Sequence, residues 1–93
     1  MSLRRRINEI DEQILHLLNE RVDVSKGIGM IKRKQGIAIR DYQREDELYR
    51  HIMRKSSELG LDTLKVRGIY QEIIAMCTHA QESNTDSQPY RES

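Results

Sequence analysis

Between Leu3 and Ile31 the apolar residues fall at Leu3, Ile7, Ile10, Ile14, Leu17, Val24, Ile28 and Ile31. The gaps alternate between four and three, with one step of the series occupied by Arg21. That is a heptad seam, and it predicts a single helix from about Ser2 to Lys34. A flanking row of Leu15, Leu18 and Val22 widens the apolar stripe. At ~1.5 Å per residue such a helix is ~50 Å long. A chain of 93 residues has no such diameter as a globule, so the helix must reach beyond its own chain. Composition agrees. Apolar residues make up 37% and charged residues 33%, with no Trp or Phe. A lone monomer would have a thin, aliphatic core, and a core shared between chains is expected.

Gly27 and Gly29 each weaken this helix by ~1 kcal/mol relative to Ala. They mark either a break near residue 26 or a place where another backbone or a ligand comes close. The reading preferred is a continuous helix. Gly36 is the expected stop, and Gln35 to Arg40 the loop. Asp41 caps a second helix, Tyr42 to about Leu59, with a buried face of Leu48, Tyr49, Ile52, Met53 and Leu59. Gly60 ends it. Asp62 caps a third helix, Thr63 to about Glu82, with a seam of Val66, Tyr70, Ile73, Cys77 and Ala80. The only proline, Pro89, interrupts none of them. The fold class is all-α: one helical domain over residues 1–82. Residues 83–93 are polar and expected to be a disordered tail.

Several functional classes fall away. Sixteen Lys and Arg against fifteen Asp and Glu give a net charge of +1, which advertises no nucleic acid or anionic membrane. No apolar run of ~18 residues suggests a membrane span. The basic start, MSLRRR, has no apolar signal core behind it. The single Cys77 excludes an internal disulfide framework and fits a reducing, cytoplasmic compartment. His16, His51 and His79 lack the spacing of zinc ligands. No metal or organic cofactor is expected.

Function is sought where the pattern breaks. Arg21 stands in the apolar seam. Taken alone it is an edge arginine reaching solvent or a nearby acid. Lys32 lies 32 − 21 = 11 residues on, about three helical turns, so the two share one face ~16 Å apart along the axis. Two long cations so placed can converge on one small anion. Arg33 and Lys34 point elsewhere and are expected to be solvated. Asp41, Arg44 and Glu45 gather at the start of the second helix, whose free amides also favour an anion. Cys77 and Gln81, four apart, share a face of the third helix. Arg4 lies 17 residues from Arg21, ~25 Å along the same helix. It can join Arg21 in one pocket only from a two-fold-related, antiparallel chain.

These residues resemble the all-helical (AroQ-type) chorismate mutases over about residues 3 to 82. The likeness rests on LRRRINEIDEQILHLLNER in the first helix, GMIKRKQG at its end and IRDYQRE opening the second. The resemblance implies a three-helix chain, two copies entwined as a homodimer, and the rearrangement of chorismate to prephenate towards phenylalanine and tyrosine. Position by position, it implies that Arg4 is donated by the neighbouring chain and that Arg21 and Arg44 grip the substrate carboxylates. Lys32 contacts a carboxylate and the ether oxygen, and Gln81 is the second donor to that oxygen. Asp41 contacts substrate through its main chain, and Glu45 accepts from the ring hydroxyl. Cys77 stands where the family is expected to have serine touching a carboxylate. A thiol is a weaker donor, so this departure should cost some binding.

Two other readings compete. An isochorismate–pyruvate lyase on the same scaffold would use much the same cationic pocket. A non-catalytic helical dimerisation module would account for the seam alone. A domain that binds an aromatic amino acid for regulation is less favoured, since no second domain is evident.

Overall fold

A computed structural model describes residues 2–83 and shows three helices, with no strand among the described residues. The first, α1, spans Leu3–Gln35; α2 spans Tyr42–Glu58; α3 spans Thr63–Ser83. Each begins at a polar residue that meets an orphan amide of the first turn. The Arg5 amide donates to Ser2 Oγ at 3.1 Å, the Arg44 amide to Asp41 Oδ1 at 3.0 Å, and the Lys65 amide to Asp62 Oδ1 at 3.1 Å. Such a cap contributes about 1 kcal/mol.

Two of the helices stop at glycines in the left-handed region, Gly36 at φ 69° and Gly60 at φ 77°. At each stop a doubled hydrogen bond folds the chain back. The Gly36 amide donates to the Arg33 carbonyl and the Ile37 amide to that of Lys32. The Gly60 amide donates to Ser57 and the Leu61 amide to Ser56. This is the closure that a left-handed residue after a helix permits and a side chain at that φ would strain. Gly27 and Gly29 do not break α1, which runs through both.

The helices occupy an envelope of 47 × 34 × 15 Å. The smallest dimension is little more than one helix with its side chains. α3 packs against both α1 and α2, which do not pack against each other. The core is correspondingly small: Ile74 and Cys77 are the buried apolar residues, at 8% and 3% exposure. The α3 seam of Val66, Tyr70, Ile73 and Ala80 is half-buried around Cys77, as are Leu48, Tyr49, Ile52 and Met53 of α2. Leu59, expected on that buried face, is not part of it. It is the cap residue after Glu58 and is 63% exposed, because the chain turns at Gly60 before it can be covered. The seam of α1 lies largely open on the single chain, from Leu3 at 85% through Leu17 at 63% to Ile31 at 57%.

The helix ends agree with those expected from sequence to within a residue. α1 runs to Gln35, and α3 reaches Ser83, one residue into the stretch expected to be tail. Residues 84–93 lie outside the described residues. No helix of the described chain is long and apolar enough to cross a membrane.

Candidate active site

The packing order of the helices fixes where a ligand can sit. α1 and α2 stand apart on either side of α3, and the cleft between them is floored by α3. It forms a cavity of about 460 Å³, within the range of small-molecule sites. From α1 it is lined by Arg21 and Lys32, with Ser25 between them and Val24 and Ile28 as apolar wall. The loop and the start of α2 bring Ile39, Asp41, Arg44, Glu45 and Leu48. α3 brings Ile74, Cys77, Thr78 and Gln81, one helical face at spacings of three, four and seven.

Seven of the eight residues singled out from sequence therefore share one cavity: Arg21, Lys32, Asp41, Arg44, Glu45, Cys77 and Gln81. Arg4 does not join them. It sits exposed in the first turn of α1, remote from the cavity along the helix.

The charges in this cleft are unequally matched. Arg21 Nη1 donates to the Cys77 sulfur at 2.9 Å, and Lys32 Nζ donates to the Ile39 carbonyl at 2.8 Å. Both partners are neutral. Arg21, Lys32 and Arg44 have no ion-pair partner among the described residues. The two carboxylates nearby are already engaged. Asp41 caps α2, and Glu45 is gripped by Arg40 through Nε at 2.6 Å and Nη2 at 2.9 Å. Three cations without an ion-pair partner thus line one partly enclosed space beside a single carboxylate, Asp41, that no cation pairs, and this excess of positive charge favours an anionic ligand. Lys32 keeps two of its three donors, and Arg21 four of its five.

Arg40 is a residue that sequence reasoning missed. Its guanidinium lies 4.8 Å from the centre of the Tyr42 ring. Hydrogen bonding to Glu45 pushes its pKa up from an already high value, so it stays a cation. The pair is five residues apart and spans the α2 cap, a spacing for which no helical periodicity provides a signal. Arg33 is a second miss. Its expected solvation is contradicted in part: it is exposed, yet Nη1 donates to the main-chain carbonyl of Gln81. Thr78 is a third, and its place beside Cys77 on a seam-bearing helix was the available signal. The oxygen of the Gln81 side chain is buried without a hydrogen-bond partner among the described residues.

Fold and cleft together define an all-helical scaffold with a cation-lined cleft between its first two helices. The chain belongs to the chorismate mutase type II family, whose sequence model matches residues 3–82. It is similar to a bifunctional chorismate mutase/prephenate dehydratase of Aquifex aeolicus, at 41% identity over 79 residues. That match takes in 82% of this chain and 22% of the relative. It is also similar to a chorismate mutase of Methanocaldococcus jannaschii, at 38% identity over 73 residues, 78% of this chain and 74% of the relative. The chain thus spans under a quarter of the first relative and about three quarters of the second.

Proposed function

We propose that the chain converts chorismate to prephenate, in the cleft between α1 and α2. The observation that carries this reading is the set of three cations without an ion-pair partner, Arg21, Lys32 and Arg44, in a cavity of about 460 Å³. Chorismate is a dianion of matching size, and its rearrangement is confined to one molecule. A C–O bond to the ether oxygen breaks while a C–C bond forms, so no nucleophile or proton acceptor has to act. What the reaction needs is restraint and a place for charge. Arg21 and Arg44 bind the carboxylates and hold the side chain folded over the ring. Negative charge grows on the ether oxygen as its bond breaks. Lys32 and Gln81 donate to it, more strongly in the transition state than in the ground state. Glu45, fixed by Arg40, accepts from the ring hydroxyl. Asp41 meets substrate through its main chain, and Cys77 accepts from Arg21 and so orients it.

The active form is a homodimer. The open seam of α1 includes Leu3, Ile7, Ile14, Leu17, Val24, Ile28 and Ile31, each at least 42% exposed. Covering it with a second copy contributes on the order of 10 kcal/mol per chain, at about 1.5–3 kcal/mol for each such side chain fully buried. Arg4, unable to reach the cleft of its own chain, completes that of its partner.

The test is product analysis. Purified protein is given chorismate and, separately, isochorismate, and products are separated by chromatography. Prephenate from chorismate in proportion to protein is expected. Pyruvate and salicylate from isochorismate, with chorismate untouched, would transfer the assignment to the lyase. Turnover of neither by a folded dimer would leave a dimerisation module.

A further inference from the structure

Gln81 stands near the described end of α3, two residues before Ser83. Two residues of α1 meet this turn. Gly29 is buried, and a Cβ built on it would lie 2.9 Å from Gln81 Cα, 3.0 Å from its Cβ and 3.0 Å from its carbonyl oxygen. Ordinary contact between carbon atoms is about 3.5–4.0 Å. Only glycine lets the two backbones come this close. Four residues on, on the same face of α1, Arg33 donates into the carbonyl of Gln81.

We propose that Gly29 and Arg33 are positioning residues that set how far Gln81 reaches into the cleft. Gly29 sets the distance of approach, and Arg33 locks the turn at that distance. The contact explains why a glycine occupies an interior position of a long helix, at a cost of about 1 kcal/mol against alanine. It also separates the glycine's role from that of Lys32, three residues further on, which touches the ligand itself. The proposal rests on the reading of Gln81 given above, as a donor to the breaking C–O bond.

An added methyl at residue 29 must push the end of α3 away by a few tenths of an ångström to about 1 Å. Misplacement by ~1 Å can cost about 100-fold in rate. Gly29→Ala is therefore expected to lower kcat for chorismate by about 10- to 100-fold, with KM changed much less, because the carboxylate grip of Arg21 and Arg44 is elsewhere. Arg33→Met, on an exposed side chain, is expected to lower kcat several-fold, and Arg33→Lys to recover part of it.

The experiment is a double-mutant comparison on the full chain. Kinetics are measured for Gln81→Ala, Gly29→Ala, Arg33→Met and each pair that includes Gln81→Ala. If Gly29 and Arg33 act through Gln81, adding either change to Gln81→Ala leaves kcat where Gln81→Ala alone put it. A further full loss in the double variants would show general damage to the fold and overturn the proposal. A normal kcat in Gly29→Ala, with Gln81→Ala impaired, would overturn it while leaving the Gln81 reading intact. A normal kcat in Gln81→Ala would overturn both. Should Gly29→Ala not fold, the Arg33 pair decides by the same criteria.

Discussion

The Arg21 guanidinium donates to the Cys77 sulfur at 2.9 Å across the interface of α1 and α3. This contact aims a cation that would otherwise extend along an apolar seam. It also changes what Cys77 does. Seen from sequence alone the residue is a substitute for a serine that touches a carboxylate. In the structure it is buried and accepts from Arg21, the proposed carboxylate ligand. Cys77→Ser supplies a stronger acceptor and donor in nearly the same space. KM for chorismate is expected to fall by about 3- to 10-fold with little change in kcat, since a net hydrogen bond contributes about 1 kcal/mol. Steady-state kinetics check this, and Cys77→Ala should move KM the opposite way.

Arg40 supports Glu45 through two hydrogen bonds on the rim of the cleft. Exposed pairs contribute little to folding, so Arg40→Ala should leave thermal stability almost unchanged. Its effect should appear in kinetics as a loss of about 3- to 10-fold in kcat/KM, of the order of one hydrogen bond to the ring hydroxyl. A large drop in Tm with normal kinetics would assign the pair to structure instead.

Gln81 is a neutral amide and donates without first being protonated. The rate of the unchanged protein should therefore be fairly flat between mild acid and neutrality. Gln81→Glu changes this. A carboxyl group can donate to the ether oxygen only in its protonated form, and its charged form repels the growing negative charge. Activity of Gln81→Glu should rise as pH falls and be lost towards neutrality. A flat profile in this variant would place Gln81 outside the reaction.

The elements were legible in the sequence because each signal is local. The seam of α1, the caps at Asp41 and Asp62 and the stops at Gly36 and Gly60 depend on residues within one turn. The cleft was legible to the extent that periodicity places residues on faces. Arg21 with Lys32, and Cys77 with Gln81, follow from spacing, while roles came from the family resemblance. What stayed hidden depends on which face meets which neighbour. Ile74 is next to the expected seam residue Ile73. It is buried because α3 is covered from two sides, by α1 and α2, and a single seam describes only one. The bond from Arg33 to the Gln81 main chain leaves no trace in side-chain pattern, since any residue offers that carbonyl. Of the two alternatives left open for the glycines of α1, the close approach of another backbone is the one found, at Gly29.

The proposed place of Arg4 depends on a second chain covering the open seam. If a second chain covers it and lends Arg4 to the cleft, then Arg4→Ala and Arg21→Ala chains should complement each other. In mixed dimers one cleft has lost both arginines and the other has neither change. Activity should return towards one intact site per mixed dimer after subunit exchange. Absence of recovery, with exchange shown by mass, would remove Arg4 from the site.

The most direct test of the account is turnover of chorismate by the unchanged protein and by Lys32→Ala, measured side by side with product identification. Prephenate should form in proportion to the unchanged protein. Lys32→Ala should remain a folded dimer and lose about 100-fold or more of kcat, as expected when a donor to developing charge is removed. Equal turnover by both proteins would contradict the claim that the cations of this cleft carry the reaction.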